Sequence, residues 1–127
     1  MQCRGIRGAI AVSANSRESI LAATKKLLSK MVKANELETK DIAAILFTTT
    51  PDLDAEFPAA ATRELGWPSN LALLCGHEMN VPGALPRCLR VLMLANMEKG
   101  PDEIIHVYLG EAKKLKDKPL SAIGGKT

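Results

Sequence analysis

A chain of 127 residues is long enough to build one domain with a real core. Hydrophobic residues make up 46% of it but aromatic ones only 3%, so the core must be made of Leu, Ile, Val, Met and Ala, and the stacking platforms of a single-strand nucleic-acid binder are missing. The formal charge of +3 is modest, and the lysines gather in two polar stretches, Lys25, Lys26, Lys30 and Lys33, then Lys113, Lys114, Lys116 and Lys118, which read as solvated surface rather than as a nucleic-acid footprint.

The opening segment CRGIRGAIAV alternates at period two. Cys3, Gly5, Arg7 and Ala9 fall on one face of the strand, and Arg4, Ile6, Gly8 and Ile10 on the other. Arg7 therefore has only small neighbours on its own face, which leaves room beside its long stem. SANSRESILAATKKLLSKMVKAN follows, with Asn15 or Ser16 as N-cap and Ile20, Leu27, Leu28 and Met31 at helical spacing, so a single amphipathic helix is expected over 16–34. DIAAILFTTT reads as a buried strand, and PDLDAEFPAAATRELG as a loop entering a short helix closed by Gly66. NLALLCG, RCLRVLMLAN and DEIIHVYLGEA are three further strand candidates. The second of them puts Cys88, Arg90, Leu92 and Leu94 on one face, and the third does the same for Ile104, His106, Tyr108 and Gly110.

The expected fold is therefore α/β in content (α+β in arrangement), with a mixed sheet of about five strands, one long helix and one short one. One helix of this length cannot cover a whole face of such a sheet and both its edges. The remaining apolar surface is expected to meet another copy of the chain.

Cys3, Cys75 and Cys88 are odd in number and form no CxxC pair, so neither a disulfide framework nor a zinc site is expected, and a reducing cytoplasm fits best. The N-terminus MQCRGIRGAI carries charge and no apolar signal core, and no run approaches the ~18 apolar residues that span a bilayer, so no membrane partner is expected.

The segment CGHEMNVPGALPRCLRVLML, residues 75–94, holds the clearest chemical signal. A guanidinium at Arg90, in the middle of CLRVLML, costs free energy unless an anion meets it. Either it forms a structural ion pair with an acid such as Glu78, or it clamps an anionic ligand, and Arg7 strengthens the second reading. Two arginines inside strands imply a ligand with more than one negative oxygen. Arg63 is likewise set among small or apolar residues. Glu78, in a loop just past a strand, is either a solvated turn residue or an acceptor for a ligand hydroxyl. Cys75 near His77 suggests thiol chemistry only weakly, the two side chains being expected on opposite faces of an extended segment. Tyr108 either packs in the sheet or offers its hydroxyl to a carboxylate. His106 reads as a satisfied histidine, and the two histidines show no metal-ligand spacing with the acids.

Taken together, RGIRGA at 4–9, TPDL at 50–53, FPA at 57–59, REL at 63–65, Cys75, EM at 78–79, CLRVLM at 88–93 and HVYL at 106–109 resemble the small trimeric chorismate mutases of the mixed α/β class. The resemblance runs from about residue 3 to residue 112. It implies one domain over 1–127 with a mobile tail at 113–127, and a homotrimer forming a pseudo-α/β barrel with active sites at subunit interfaces. The implied reaction is the [3,3] rearrangement of chorismate to prephenate on the route to phenylalanine and tyrosine, with no cofactor. Carried over residue by residue, it implies that Arg90 contacts a carboxylate and the ether oxygen, and that Arg7 and Tyr108 hold carboxylate oxygens. Glu78 and the segment at Cys75 receive the ring hydroxyl. Phe57, Ala59 and Leu115 line an apolar wall, and Arg63 sits at the mouth. Ala60 and Lys116 depart from the family pattern, in which a lysine and an arginine are common. Two rival readings share these features: a trimeric module that binds a small carboxylate without chemistry, and a trimer of the imine-deaminating type.

Overall fold

The computed structural model describes residues 1–116. The tail expected at 113–127 therefore lies mostly outside the described residues. Five strands form one mixed sheet in the order β3-β2-β4-β1-β5, where β1 is Gln2–Ala11, β2 Ile42–Thr49, β3 Ala72–His77, β4 Cys88–Met97 and β5 Val107–Leu109. β4 lies antiparallel between β1 and β2, while β5 pairs parallel with β1 and β3 parallel with β2.

The long helix α1 spans Arg17–Ala34, and Ser16 caps it by accepting the Ser19 N–H at 3.1 Å. Asn15, the other cap candidate, instead ties the helix entry to the loop after β2. Its Oδ1 accepts the main-chain N–H groups of Asp54 and Ala55, each at 3.0 Å. A short helix α2 spans Ala60–Glu64, and Gly66 follows with φ of 74°, the left-handed conformation that ends helices cheaply only with glycine.

The alternation of β1 decides which side is core. Ile6 and Ile10 join Ile20, Leu27, Leu28 and Met31 of α1 in one buried cluster with Ile45, Phe47, Val91 and Met93. Gly8 lies under the helix, where an added Cβ would stand 2.5 Å from Met31 Sδ. Among the described residues nothing covers the opposite face of the sheet, and on it Leu74 and Leu92 are 64% and 39% exposed. No helix among the described residues is long and apolar enough to cross a membrane.

The last strand is shorter than its sequence pattern predicts. Only Val107–Leu109 pair with β1, while residues 101–103 form a turn of 3-10 helix. The buried amide of Asn35, at the end of α1, captures the preceding backbone: Asn35 Oδ1 accepts the Ile105 N–H at 2.8 Å and its Nδ2 donates to the Ile105 carbonyl at 2.9 Å. These main-chain groups are thereby satisfied by a side chain rather than by a ladder.

Candidate active site

Register places the charged groups. On the uncovered face, one cross-strand row reads Gly76, Thr48, Arg90, Ala9, Tyr108, and the next reads Leu74, Leu46, Leu92, Arg7. Arg7 and Arg90 are thus diagonal neighbours on adjacent strands, whose backbones lie about 7–8 Å apart in such pairs. Ala9, between Arg90 and Tyr108, is too small to fill the space above it. The result is a cleft of about 330 Å³ lined by Arg7, Arg90, Glu78, Tyr108 and Leu115, with Leu46 and Leu92 as its apolar floor. That volume falls at the small end of ligand sites.

Glu78 arrives from β3. Its N–H donates to the Thr49 carbonyl at 2.8 Å, which carries the β2–β3 pairing one step beyond the strand and swings the side chain over the cleft. One carboxylate oxygen, Oε2, accepts the Thr48 hydroxyl at 3.2 Å and meets Arg90 Nε at 3.8 Å, and Oε1 accepts the Met79 N–H at 3.1 Å. The structural ion pair considered from sequence is thus present, but it is long and loose. Both side chains keep access to solvent, at 43% for Arg90 and 34% for Glu78. Cys88 precedes Arg90 by two residues on the same face of β4, and burial pushes its thiol pKa up, so this cysteine stays neutral. Among the described residues no carboxylate reaches the Arg7 guanidinium within ion-pair distance.

Phe57 and Cys75 lie elsewhere. They line a second cleft of about 380 Å³ with Thr49, Asp54 and His77. Phe57 is 72% exposed, and Cys75 is half-buried. Two sequence expectations need correction here. Cys75 and His77 are two residues apart on β3 and share a face, both lining this cleft. Their proximity still forms no activated thiol, because burial raises the Cys75 pKa and His77 Nδ1 is taken up by Thr49 Oγ1 at 3.2 Å. Arg63, expected among apolar surroundings, is exposed on α2 and lines neither cleft. Its helix has a solvent side that the local sequence does not reveal.

Thr48, Leu46 and Leu92 were not singled out from sequence. Leu92 shares the Arg90 face of its strand, but for Thr48 and Leu46 cleft membership depends on which residues of β2 stand opposite β4.

The comparisons with known proteins agree with one another. Residues 3–118 match the model of the family described as chorismate mutase type I. The chain belongs to that family. It is 46% identical to chorismate mutase AroH of Thermus thermophilus over 114 residues, 89% of this chain and 93% of that one. It is 43% identical to chorismate mutase AroH of Bacillus subtilis (strain 168) over 117 residues, 91% of each. Among solved structures, a chorismate mutase from Clostridium thermocellum superposes with a TM-score of 0.85 at 50% identity, covering 87% of this chain and 98% of that one. The mixed five-stranded sheet is therefore the chorismate mutase type I architecture.

Proposed function

We infer that this chorismate mutase binds chorismate in the cleft between Arg7 and Arg90 and converts it to prephenate by restraint and electrostatics, without covalent or proton-transfer chemistry. The observation that carries this is the pair of guanidinium groups on one open sheet face, aimed into a cleft with an apolar floor and only a loose internal counterion. Such a site suits a dianion. The apolar walls weaken the competition of water and strengthen each charge–dipole interaction inside.

A pericyclic rearrangement needs no nucleophile. It needs the substrate in its compact diaxial form, and it needs stabilisation of the negative charge that grows on the ether oxygen as its C–O bond lengthens. Arg90 supplies this stabilisation, its guanidinium donating to the ether oxygen and to a carboxylate. Its loose pairing with the Glu78 carboxylate leaves the guanidinium at the cleft and free to meet substrate. Arg7 and Tyr108 hold carboxylate oxygens, Glu78 accepts the ring hydroxyl, and Leu115 closes part of the apolar wall.

Phe57, Ala59 and Cys75 complete the site from a second copy. Within one chain Phe57 and Cys75 line a different cleft from Arg90. A cyclic trimer, whose contacts run head to tail, brings the second cleft of one protomer against the first cleft of the next and covers the apolar sheet face. This arrangement belongs to the cytoplasmic synthesis of phenylalanine and tyrosine. Purified protein incubated with chorismate should consume it and yield a product that acid converts to phenylpyruvate. Binding without consumption would instead favour a carboxylate-binding module.

A further inference from the structure

We propose that His106 is a positioning residue for Arg7, its neutral imidazole accepting the Arg7 main-chain N–H and so fixing the point from which the guanidinium enters the cleft, with protonation of the ring releasing it. The inference rests on the reading of Arg7 as a substrate-carboxylate ligand.

β1 lies between β4 and β5, and β5 begins only at Val107, opposite Gly8. The N–H of Arg7 therefore points toward an edge where the parallel ladder has not yet started. The imidazole fills this gap, with Arg7 N–H donating to His106 Nδ1 at 2.9 Å. His106 is itself fixed from both sides. Asn35, only 2% exposed, grips both main-chain polar groups of Ile105, and the β5 pairing fixes Val107.

An Nδ1 that accepts carries no proton, so the neutral ring must hold its proton on Nε2. A second proton would turn N–H against N–H and place a cation beside the Arg7 guanidinium. Burial first, and then the Arg7 charge, hold the imidazole below its ordinary range. From α1 the facing group is the uncharged Asn35. Nearby Lys99 is occupied by the Asn35 carbonyl and the Glu36 carboxylate. The neutral form, and the bond it makes, is thus complete at neutral pH and is lost as pH falls from the ordinary imidazole value through the depressed one.

The test uses the full chain. kcat and KM for chorismate are measured from about pH 4.5 to 8 for wild type, His106→Asn, His106→Ala and Arg7→Ala, beside a ¹⁵N imidazole titration of His106. The ring should report the Nε2–H tautomer with a midpoint below that of a free imidazole. Wild-type kcat/KM should fall about tenfold across that same midpoint, mainly through KM. Asn offers an oxygen near the position of Nδ1 and does not titrate. His106→Asn should keep neutral-pH kcat/KM within about threefold and lose the acid limb, while His106→Ala should lose about tenfold at every pH. An acid limb that survives in His106→Asn, an Nδ1–H tautomer, or a His106→Ala variant that behaves as wild type would each overturn the proposal. If Arg7→Ala keeps full activity, the site reading itself fails; if Arg7→Ala is crippled while the His106 variants are silent, only the positioning role fails.

Discussion

Arg87 adopts a φ of 44°, a left-handed conformation that costs a side-chain-bearing residue about 1 kcal/mol or more. Asp52 offsets this by accepting the Arg87 N–H with both carboxylate oxygens, at 2.9 and 3.2 Å, and the Thr50 hydroxyl bonds the same carboxylate. These bonds aim the chain into β4, which begins at the next residue, Cys88, and carries Arg90 two residues further on. The Thr50 bond, helped by Arg87, holds the Asp52 pKa below the ordinary carboxylate value. Its stabilisation is therefore complete above about pH 4 and lost as pH falls through the depressed folded value. Asp52→Asn should lower the unfolding free energy at neutral pH by about 1 kcal/mol and flatten that acid loss, as read by urea melts across pH. At this scale the sequence singled out Arg7, Arg90 and Glu78, which the fold brings to one cleft, because charges set among apolar or small residues stand out. It could not expose Asp52 or Thr48, whose roles depend on partners about 35 and 30 residues away.

The helix–strand contact turns on Gly8. A Cβ there would meet Met31 Sδ at 2.5 Å and Leu27 Cδ1 at 3.2 Å, and Met31 has no exposed surface into which it could retreat. Gly8→Val should therefore destabilise by about 2–3 kcal/mol, and pairing it with Met31→Ala should recover part of that loss, a coupling that thermal or urea melts of the two single variants and the double variant would reveal. The elements themselves were largely legible. Ser16 and the apolar spacing of Ile20, Leu27, Leu28 and Met31 announce α1, and period-two runs announce β1 and β4. β5 was overread because its alternation continues through Ile104 and His106, whereas hydrogen-bond partners decide a strand. There the Asn35 amide and the His106 ring satisfy the backbone before any ladder begins.

At the scale of the whole molecule, the face that carries Leu46, Leu74, Leu92 and the two arginines is uncovered in the single chain, as one covering helix predicts. The resemblance brought Phe57, Cys75 and Arg90 into one site, whereas among the described residues of one chain they line two clefts, and we propose that packing between copies joins them. In a head-to-tail trimer assembled at random from Arg90→Lys and Phe57→Asp protomers, about one site in four combines two intact halves. Each variant alone should be nearly inactive, and the refolded mixture should regain about a quarter of wild-type activity; no gain on mixing would place the site within one chain. We propose that a fixed, forked guanidinium at Arg90 lowers the barrier, which a mere positive charge cannot do. The most direct test is the kcat of Arg90→Lys, with the fold checked by circular dichroism and melting temperature. kcat should fall by about 10²–10³ with an unchanged fold; turnover within about threefold of wild type would show that charge alone suffices.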